Sequence, residues 1–515
     1  MLLASFAFRG MAFLQAVIDT DEGLYLVQAQ AWLRGEWPLV AVWDMHPVGA
    51  PAMFALALLA FGESVEAVRV LGVLCAAATG WALFGLVRAA GGGRGVDRAA
   101  LRVVFLSSLG GALEFYDFVV FGVFSAYIGA AFFPAGDPLV SQLQTLAVFA
   151  VGYLARPIGG LLFGRQGDRV GRRHSFLLSL LAMSGATLLM GLMPTYAQAG
   201  VAATAAFVLL RVVQGLCLGG ELPGALTYAV ESVPRHRATL ACGLVFGCVS
   251  SGVLLATGVS QALHAALDDG QMAAWGWRVA FVLGGVLGLA SWWLRRSLAE
   301  SPDFLRMRAR IEGLRAAGGH VRDPLADLFR NHRARILTGI GATGIVAAFN
   351  GLLFAHTGAY LARSLGYPPP QVATAINVAV AVTSVSLVVA TWVADIVPRR
   401  HVFRVGCVVL AAGALPAYAA MADRSIPLPW LFALIGLSAC FTHGTFAAIL
   451  ADLFPTRVRF SGIAFSMNLG AVAFSALGPL AATWLVRATG RPDAPGFLVL
   501  GAAVLAFIFA AAMRP

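Results

Sequence analysis

Long apolar runs separated by short polar segments recur along this 515-residue chain. The runs near 141–163 and 175–194 are each about long enough to cross a bilayer as an α-helix. From residue 103 onward the runs form two sets of six, separated by an arginine-rich stretch at 295–335. This pattern predicts an all-α polytopic membrane protein with twelve spans in two six-helix halves. The runs lie near 103–132, 141–163, 175–194, 200–230, 238–264 and 276–294, then near 336–361, 371–397, 403–421, 427–450, 460–486 and 496–513.

The first hundred residues carry a different pattern. Apolar runs at 2–18 and 65–88 flank an acidic, aromatic loop at 19–46. Their lengths predict about two extra transmembrane helices ahead of the twelve. We therefore divide the chain into residues 1–93, a linker at 94–102, a first half at 103–297, a cytoplasmic loop at 298–335 and a second half at 336–515.

The composition excludes a soluble globular protein, because 59% of the residues are hydrophobic and only 12% are charged. The sequence contains no lysine, so all 36 Lys/Arg residues are arginine. In the predicted topology, 26 of these arginines lie in loops or chain ends on the same side of the membrane. Such loops face the cytoplasm. The net charge of +11 therefore reflects topology rather than a nucleic-acid partner. We expect a multi-pass protein of the inner membrane.

A charged segment, Gly164-Arg-Gln-Gly-Asp-Arg-Val-Gly-Arg-Arg173, joins the second and third predicted spans. Its three glycines permit a tight reversal, and one carboxylate among four arginines suits ion pairing beside helix ends. An ordinary basic loop is the alternative interpretation. We call this segment the cytoplasmic latch and expect it to close the cytoplasmic side; its candidate residues are Gly164, Asp168, Arg169, Gly171, Arg172 and Arg173.

The second half of the chain repeats parts of the first. Asp168-Arg-Val-Gly-Arg-Arg is echoed by Asp395-Ile-Val-Pro-Arg-Arg at an offset of 227 residues. Glu231-Ser-Val-Pro is echoed by Asp452-Leu-Phe-Pro at an offset of 221. Parallel repeats around a central cavity are a basis of alternating access in transporters. The echo adds a second latch with proline in place of glycine; its candidate residues are Asp395, Arg399 and Arg400.

Three carboxylates lie inside predicted spans, where ionisable groups are costly and are functional candidates by default. Glu114 and Asp117 are three residues apart and share one helix face. Glu221 follows a glycine pair in the fourth span. Burial favours the uncharged form of a carboxyl group, as a proton carrier requires. We predict proton coupling at Asp117, Glu114 and Glu221, while permanent pairing with arginines remains the alternative.

Cationic and polar side chains within the spans are candidate substrate ligands. Arg156 shares a helix face with Tyr153, and Arg211 lies beside Gln214. A buried arginine suits recognition of a carboxylate, although either arginine could instead neutralise a nearby acid. Asn350 and Asn468 interrupt apolar runs of the second half, where an interhelical hydrogen bond is the competing interpretation.

The latch motif Gly-x-x-x-Asp-Arg-x-Gly-Arg-Arg between the second and third spans resembles the signature of the major facilitator superfamily. Within it, residues 103–515 resemble the metabolite:proton symporter branch. The resemblance implies a twelve-helix major facilitator fold and proton-driven uptake of organic acids or zwitterions such as dicarboxylates, citrate, aromatic acids, proline or betaine. The stretches that carry it are Leu113–Asp117, Leu154–Gly160, Gln214–Glu221 and Trp275–Arg278.

Residues 1–93 resemble the opening of membrane glycosyltransferases that use polyprenyl-phosphate sugars. The resemblance rests on Asp19-Thr-Asp21-Glu22-Gly-Leu-Tyr25 and on Trp43-Asp-Met-His46-Pro47. It implies a catalytic base at Asp21 or Glu22. The remaining spans and the sugar-binding domain of such an enzyme are missing from the sequence, so we expect a truncated, inactive remnant or a gene-fusion artefact.

These observations predict a proton-coupled symporter of a small organic anion or zwitterion, such as a carboxylate, proline or betaine, that works by alternating access. The expected partners are that solute, protons and the lipid bilayer. We expect a monomer without enzymatic activity, metal or cofactor, and we see no nucleotide-binding motif. A membrane glycosyltransferase acting through the loop at 19–46 is the alternative from another functional class.

Overall fold

A computed structural model describes residues 98–134 and 138–511 of the chain. Apolar helices form because, in a bilayer, backbone hydrogen bonds must be satisfied within the segment. The predictions made for residues 1–93, which are the extra spans and the glycosyltransferase-like loop, lie outside the described residues. The division into domains at 93, 102, 297 and 335 stays a prediction.

Six helical spans make up the first half. Span α1 runs through Phe124 as two segments, and α5 is interrupted at Cys248. The helices are α1 (Arg98–Val123 and Ser125–Phe132), α2 (Pro138–Arg169), α3 (Arg172–Leu192), α4 (Val201–Ser232), α5 (Ala238–Gly247 and Val249–Ala266) and α6 (Trp277–Arg295).

Two short helices and six further spans follow. Helices α7 (Pro302–Ala316) and α8 (Pro324–Asn331) lie in the cytoplasmic loop, each with proline in its first turn and a capping Ser or Asp before it. The spans are α9 (Arg333–Asn350, continued through Gly351–Thr357 and Gly358–Arg363), α10 (Pro369–Ile396), α11 (Arg399–Asp423), α12 (Leu428–Leu453), α13 (Arg459–Gly470, Ala471–Ala476 and Gly478–Thr489) and α14 (Pro495–Ala511).

The described residues confirm the predicted all-α fold. Ten helical segments are long and apolar enough to cross a membrane. The interrupted α5 and the shorter apolar α14 complete twelve spans in the described part of the chain. Each half therefore contains six helices, as the two sets of apolar runs predict.

Spans α9 and α13 both widen into a π-helix part-way along their length, at Gly351–Thr357 and Ala471–Ala476. The two π segments approach closely at Gly351, where an added Cβ would lie 2.5 Å from the carbonyl oxygen of Ser475. Such π segments are frequent at functional sites. Here they mark a closely packed seam within the second half.

Helix α2 has one face toward lipid and one toward the protein. Val151, Leu154, Ile158 and Leu162 form an exposed apolar stripe at helical spacing. On the neighbouring face, a Cβ added at Gly159 would lie 1.9 Å from the carbonyl oxygen of Leu216 on α4. The helices thus meet backbone to backbone through small residues, as is common within membranes.

The three latch glycines, Gly164, Gly167 and Gly171, do not together form the tight reversal that the sequence predicts. Helix α2 continues through Gly164 and Gly167 to Arg169, and of the three only Gly171 has a positive φ, 148°. An added Cβ at Gly164 would lie 2.6 Å from the Cα of Ser461, and at Gly167 it would lie 2.1 Å from the Phe460 ring. The prediction of a reversal built on all three glycines is therefore wrong: two of them instead allow α13 to approach α2.

The close contact between α2 and α4 leaves no room for one added methyl group at the side-chain position of a glycine. In Gly215→Ala the new Cβ would lie 2.0 Å from the carbonyl oxygen of Gly152, so the backbones must separate at a cost of about 1–3 kcal/mol. We expect a lower apparent melting temperature in detergent. Gly185→Ala is the matched control, because nothing lies within 4 Å of its added Cβ. Equal melting temperatures for the two variants would contradict this packing.

Candidate functional site

Asp117 lies buried between three helices of the first half. The hydroxyl of Thr187 on α3 donates to its carboxylate at 2.7 Å. The amide of Gln214 on α4 donates to Thr187 at 2.9 Å and lies 3.4 Å from Asp117. Two neutral donors therefore hold this carboxylate, and within residues 98–134 and 138–511 no arginine forms an ion pair with it.

Arg211 is a buried cation one turn from Gln214. Its guanidinium donates to the amide oxygen of Gln214, which links it to Asp117 through one intervening side chain. The guanidinium carbon lies 4.1 Å from the ring centroid of Phe121 and 5.0 Å from that of Phe149. Such stacking stabilises a desolvated cation. The structure therefore gathers Asp117, Gln214 and Arg211 in one cluster, while their roles in proton coupling and substrate binding stay predictions.

Glu114 and Arg156 form a second, looser pair beside this cluster. Their closest nitrogen and oxygen atoms lie 3.9 Å apart, and both side chains are almost fully buried. The guanidinium carbon of Arg156 is 4.4 Å from the ring centroid of Tyr153 and 5.8 Å from that of Phe118. Glu114 Oε2 and Arg156 Nε have no hydrogen-bond partner among the described residues. Because buried polar atoms are normally paired, these atoms can accommodate a third group.

Glu221 has a different environment from the other two carboxylates. Arg295 donates to it at 2.8 Å, and the hydroxyl of Ser179 donates at 3.0 Å. Arg295 also donates to the carbonyl oxygen of Leu106 at 2.7 Å, so this ion pair joins α1, α4 and α6. This geometry favours structural pairing, and proton coupling at Glu221 stays an untested prediction. Arg295 directly follows the apolar run at 276–294, so the hydropathy pattern places it in the loop and gives no sign of this bond.

The two asparagines of the second half lie in separate places. Asn350 on α9 lies 3.3 Å from the imidazole Nε2 of His443 on α12, whose Nδ1 lies 2.9 Å from the carbonyl oxygen of Ala439. Asn468 on α13 donates to the carbonyl oxygen of Gly219 on α4 at 2.8 Å. Asn468 therefore joins the two halves, and its contact with substrate remains a prediction.

The cytoplasmic latch crosses between the halves through Asp168. This carboxylate accepts the backbone N–H groups of Phe460 and Ser461, at 3.2 and 2.9 Å, and the hydroxyl of Ser461 at 2.6 Å. It thus satisfies N–H groups at the start of α13, where the helix dipole favours an anion. Arg172 holds Asp168 from the other side at 2.5 Å.

Glu231 extends this network at the end of α4. Arg172 and Arg459 donate to its carboxylate at 3.2 and 2.9 Å, and the hydroxyl of Ser301 donates at 2.6 Å. Arg172 also donates to the backbone carbonyl of Thr456. Arg459 and Thr456 belong to the second half. Asp168, Arg172 and Glu231 of the first half therefore all contact the second half at the start of α13. In the sequence, Glu231 stands out only as a repeat position, and its spacing alone does not predict these partners.

The second latch makes the reciprocal contact, from the second half to the first. We call the contact of Asp168 with α13 the first diagonal and the contact of Asp395 with α5 the second diagonal. Asp395 at the end of α10 accepts the backbone N–H groups of Thr239 and Leu240, both at 3.0 Å, at the start of α5. Arg399 pairs with Asp452 at 2.7 Å. These contacts reproduce those of Asp168, Arg172 and Glu231 at the offsets of 227 and 221. Pro398 does not prevent them, because it precedes the first turn of α11. In the described part, Arg400 has no ion-pair partner within 4 Å.

Two other latch residues contact the cytoplasmic loop. Arg169 lies 3.5 Å from Asp323, and Arg165 lies 2.9 Å from the same carboxylate. The backbone N–H of Arg173 donates to Glu300 at 3.2 Å, close to Gly171, where an added Cβ would lie 2.2 Å from Glu300 Oε2.

Partial burial raises the pKa of Asp323, but hydrogen bonds from Arg165 and from the Leu325 N–H outweigh burial and hold that pKa below its ordinary value. The stabilisation from this carboxylate is therefore present above its ordinary pKa and is lost as the pH falls through the lowered pKa of the folded state.

Known proteins match most of this chain. A family model described as sugar (and other) transporter matches residues 103–324 and 319–514. The chain belongs to this family. The match begins at residue 103, and the relatives below are transporters rather than enzymes, so the glycosyltransferase alternative gains no support.

Two similar sequences and one solved structure show the extent of the likeness. The inner membrane metabolite transport protein YhjE of Escherichia coli is 35% identical over 75% of this chain and 87% of that protein. The proline/betaine transporter of Salmonella typhimurium is 30% identical over 81% of this chain and 84% of its own length. The major facilitator proton:xylose symporter XylE bound to a bromodeoxyglucose superposes with a TM-score of 0.65 at 18% identity, covering 80% of this chain and 94% of that one. The fold is therefore the twelve-helix major facilitator fold in a multi-pass membrane transporter.

The paired latches allow an internal comparison. Asp168→Asn removes a buried charge that faces both Arg172 and the start of α13, whereas the Asp395 side is more exposed and lacks a counterpart of Arg459. We expect Asp168→Asn to shift the population toward a cytoplasm-open state about ten- to hundredfold, and Asp395→Asn to shift it less.

The measurement is labelling from the cytoplasmic side of a cysteine introduced by Ala464→Cys, with the native cysteines replaced by alanine. Ala464 is fully buried, and its carbonyl oxygen lies beside Gly160 at this contact, so labelling reports separation of the halves. Unchanged labelling in Asp168→Asn would rule out a gating role for the latch.

Proposed function

We propose that this protein is a proton-coupled symporter of a small organic anion or zwitterion, such as a carboxylate, proline or betaine, within the metabolite:proton symporter branch. The observation that carries the proposal is the pair of incompletely satisfied, buried ions Glu114 and Arg156 beside the Asp117 cluster. The names of the relatives, which include a proline/betaine and a metabolite transporter, support this substrate class.

Charge balance explains how a proton and an anion would load together. When ionised, Asp117 and Glu114 offset Arg156 and Arg211, so the cluster is neutral. A proton on Asp117 leaves one excess positive charge among buried, aromatic surroundings, where unpaired charge is costly. A substrate carboxylate restores neutrality by binding to an arginine. Proton and substrate therefore stabilise the loaded cluster jointly, which couples their movement.

The candidate ligands have complementary tasks in this scheme. Arg156 binds the substrate carboxylate, and Tyr153 stacks on the guanidinium and fixes its plane. Arg211 and Gln214 transmit the charge of Asp117 to the binding site. A cationic group of a zwitterion lies toward Glu114 and the aromatic rings. Asn350 supplies a polar contact from the second half, and the two latches close the cytoplasmic side while the site faces outward.

Asp117→Asn tests the coupling. The amide resembles the protonated carboxyl group, so the variant should still exchange substrate across the membrane but should no longer accumulate it in response to a pH gradient. Counterflow and gradient-driven uptake in proteoliposomes, with a panel of carboxylates and betaines, separate these two activities. Asp269→Asn, at an exposed position ahead of α6, is the control. Gradient-driven uptake by Asp117→Asn at the parent rate would reject the assignment.

Arg156 is tested by a conservative and a neutral substitution. We expect Arg156→Lys to raise the KM for counterflow about tenfold, because lysine keeps the charge but loses the planar fork, and Arg156→Gln to raise it further. A permanent structural clamp gives a different result. In that case Arg156→Gln would lower the melting temperature, the additional change Glu114→Gln would restore it, and KM would stay unchanged.

A further inference from the structure

A cavity of about 700 Å³ lies on the cytoplasmic side, apart from the buried ion cluster within the spans. Its walls come from the end of α2, from α7 and from the segment before α8, with Arg457 of the second half closing one side. This volume is in the range of ligand-binding cavities. The two halves and the loop between them therefore form one chamber.

Positive charge dominates this chamber. Six arginines and three carboxylates line it, and one of the carboxylates, Asp168, is already bound to Arg172 and the start of α13. Arg165 and Arg169 share Asp323, and Arg308 pairs with Glu312. In the described part of the chain, Arg315 and Arg322 have no carboxylate within 4 Å. A concave site of one sign concentrates counter-ions of the other sign.

We propose that this chamber binds a phosphate-bearing anion with two or more negative charges. Arginine forks match phosphate oxygens bidentately, and Arg315 and Arg322 are the cations free to do so. The chamber also has an apolar wall formed by Phe304, Met307 and Ile311. A lipid headgroup and a soluble phosphate compound share this chemistry.

The position of the chamber makes a lipid source geometrically accessible. Leu162 lines it, and Leu162 is also the last member of the lipid-facing stripe on α2. The chamber therefore opens where that stripe ends. An acyl chain can follow the stripe while the phosphate reaches the arginines.

Binding here stabilises the closed arrangement of the cytoplasmic side. Arg457 belongs to the turn that leads into α13, and its guanidinium donates to the carbonyl oxygen of Arg322 at 2.5 Å. The chamber is complete only while α13 contacts α2, because that contact brings Arg457 to the loop. A ligand that binds only the complete chamber shifts the conformational equilibrium toward closure. The chamber is thus a regulatory site.

The first test measures binding to the purified full-length protein. Pyrophosphate is titrated calorimetrically into protein in neutral detergent, and nanodiscs of phosphatidylcholine are compared with nanodiscs containing one-third phosphatidylglycerol. The double variant Arg315→Gln/Arg322→Gln removes the two unpaired cations. Arg310→Gln is the matched control, because Arg310 is exposed on α7 but does not line the chamber.

The second readout follows the contact that binding should stabilise. Hydrogen exchange at the amides of Phe460 and Ser461, which donate to Asp168, should slow about tenfold when ligand is bound. The double variant should lose this protection and weaken binding about tenfold or more, whereas Arg310→Gln should retain both. Basal counterflow should be unchanged, since neither arginine belongs to the transport cluster or the latches.

Each outcome decides the proposal. Pyrophosphate binding that depends on Arg315 and Arg322 supports a soluble ligand, and protection only in phosphatidylglycerol nanodiscs, lost in the double variant, supports a lipid headgroup. The absence of both effects overturns the proposal, as does equal binding by the double variant and the parent. None of these results depends on Asp117 or Arg156, so the proposed transport function is tested separately.

Discussion

The cytoplasmic closure of this protein depends on one interaction made twice: a carboxylate at the end of one helix accepts the first free N–H groups of a helix in the other half. Asp168 does this for α13, and Asp395 does it for α5. Each interaction satisfies donors that a helix cannot satisfy itself. Because each half supplies the acceptor for its counterpart, the contact is mutual, and neither half can tilt away without exposing unpaired N–H groups on both diagonals.

The two diagonals are related but unequal. Arg459 binds Glu231 on the first diagonal, whereas the position related to Arg459 by the offset of 221 is Ala238. Ser301 also binds Glu231 and draws in the loop between the halves. The first diagonal is therefore buried and densely bonded, while Asp452 on the second is half exposed. Both repeats thus carry the same contact, and the first of the two is the more densely bonded.

Much of the fold was predictable from the sequence because span length, arginine position and repeat offset are local properties. The offsets of 227 and 221 also point to Asp395, Arg399 and Asp452 as the counterparts of the first latch, and their gating role stays a prediction. Which acid pairs with which base was not predictable, because helices far apart in sequence decide it. Arg295 was counted as a loop residue, yet it holds Glu221 inside the first half. Gly164 and Gly167 suggested a turn, since the approach of α13 could not be inferred from their spacing.

The glycine seam between α2 and α4 has a consequence for the buried arginines. Its contacts are backbone to backbone, so these two helices cannot slide past each other without a clash. Arg156 stands on α2 and Arg211 on α4, and the two guanidinium groups are therefore carried on one rigid frame. The spacing between these two cations therefore stays the same when the second half moves relative to the first. The charge arrangement of the first half is thus already built before the cytoplasmic side opens or closes.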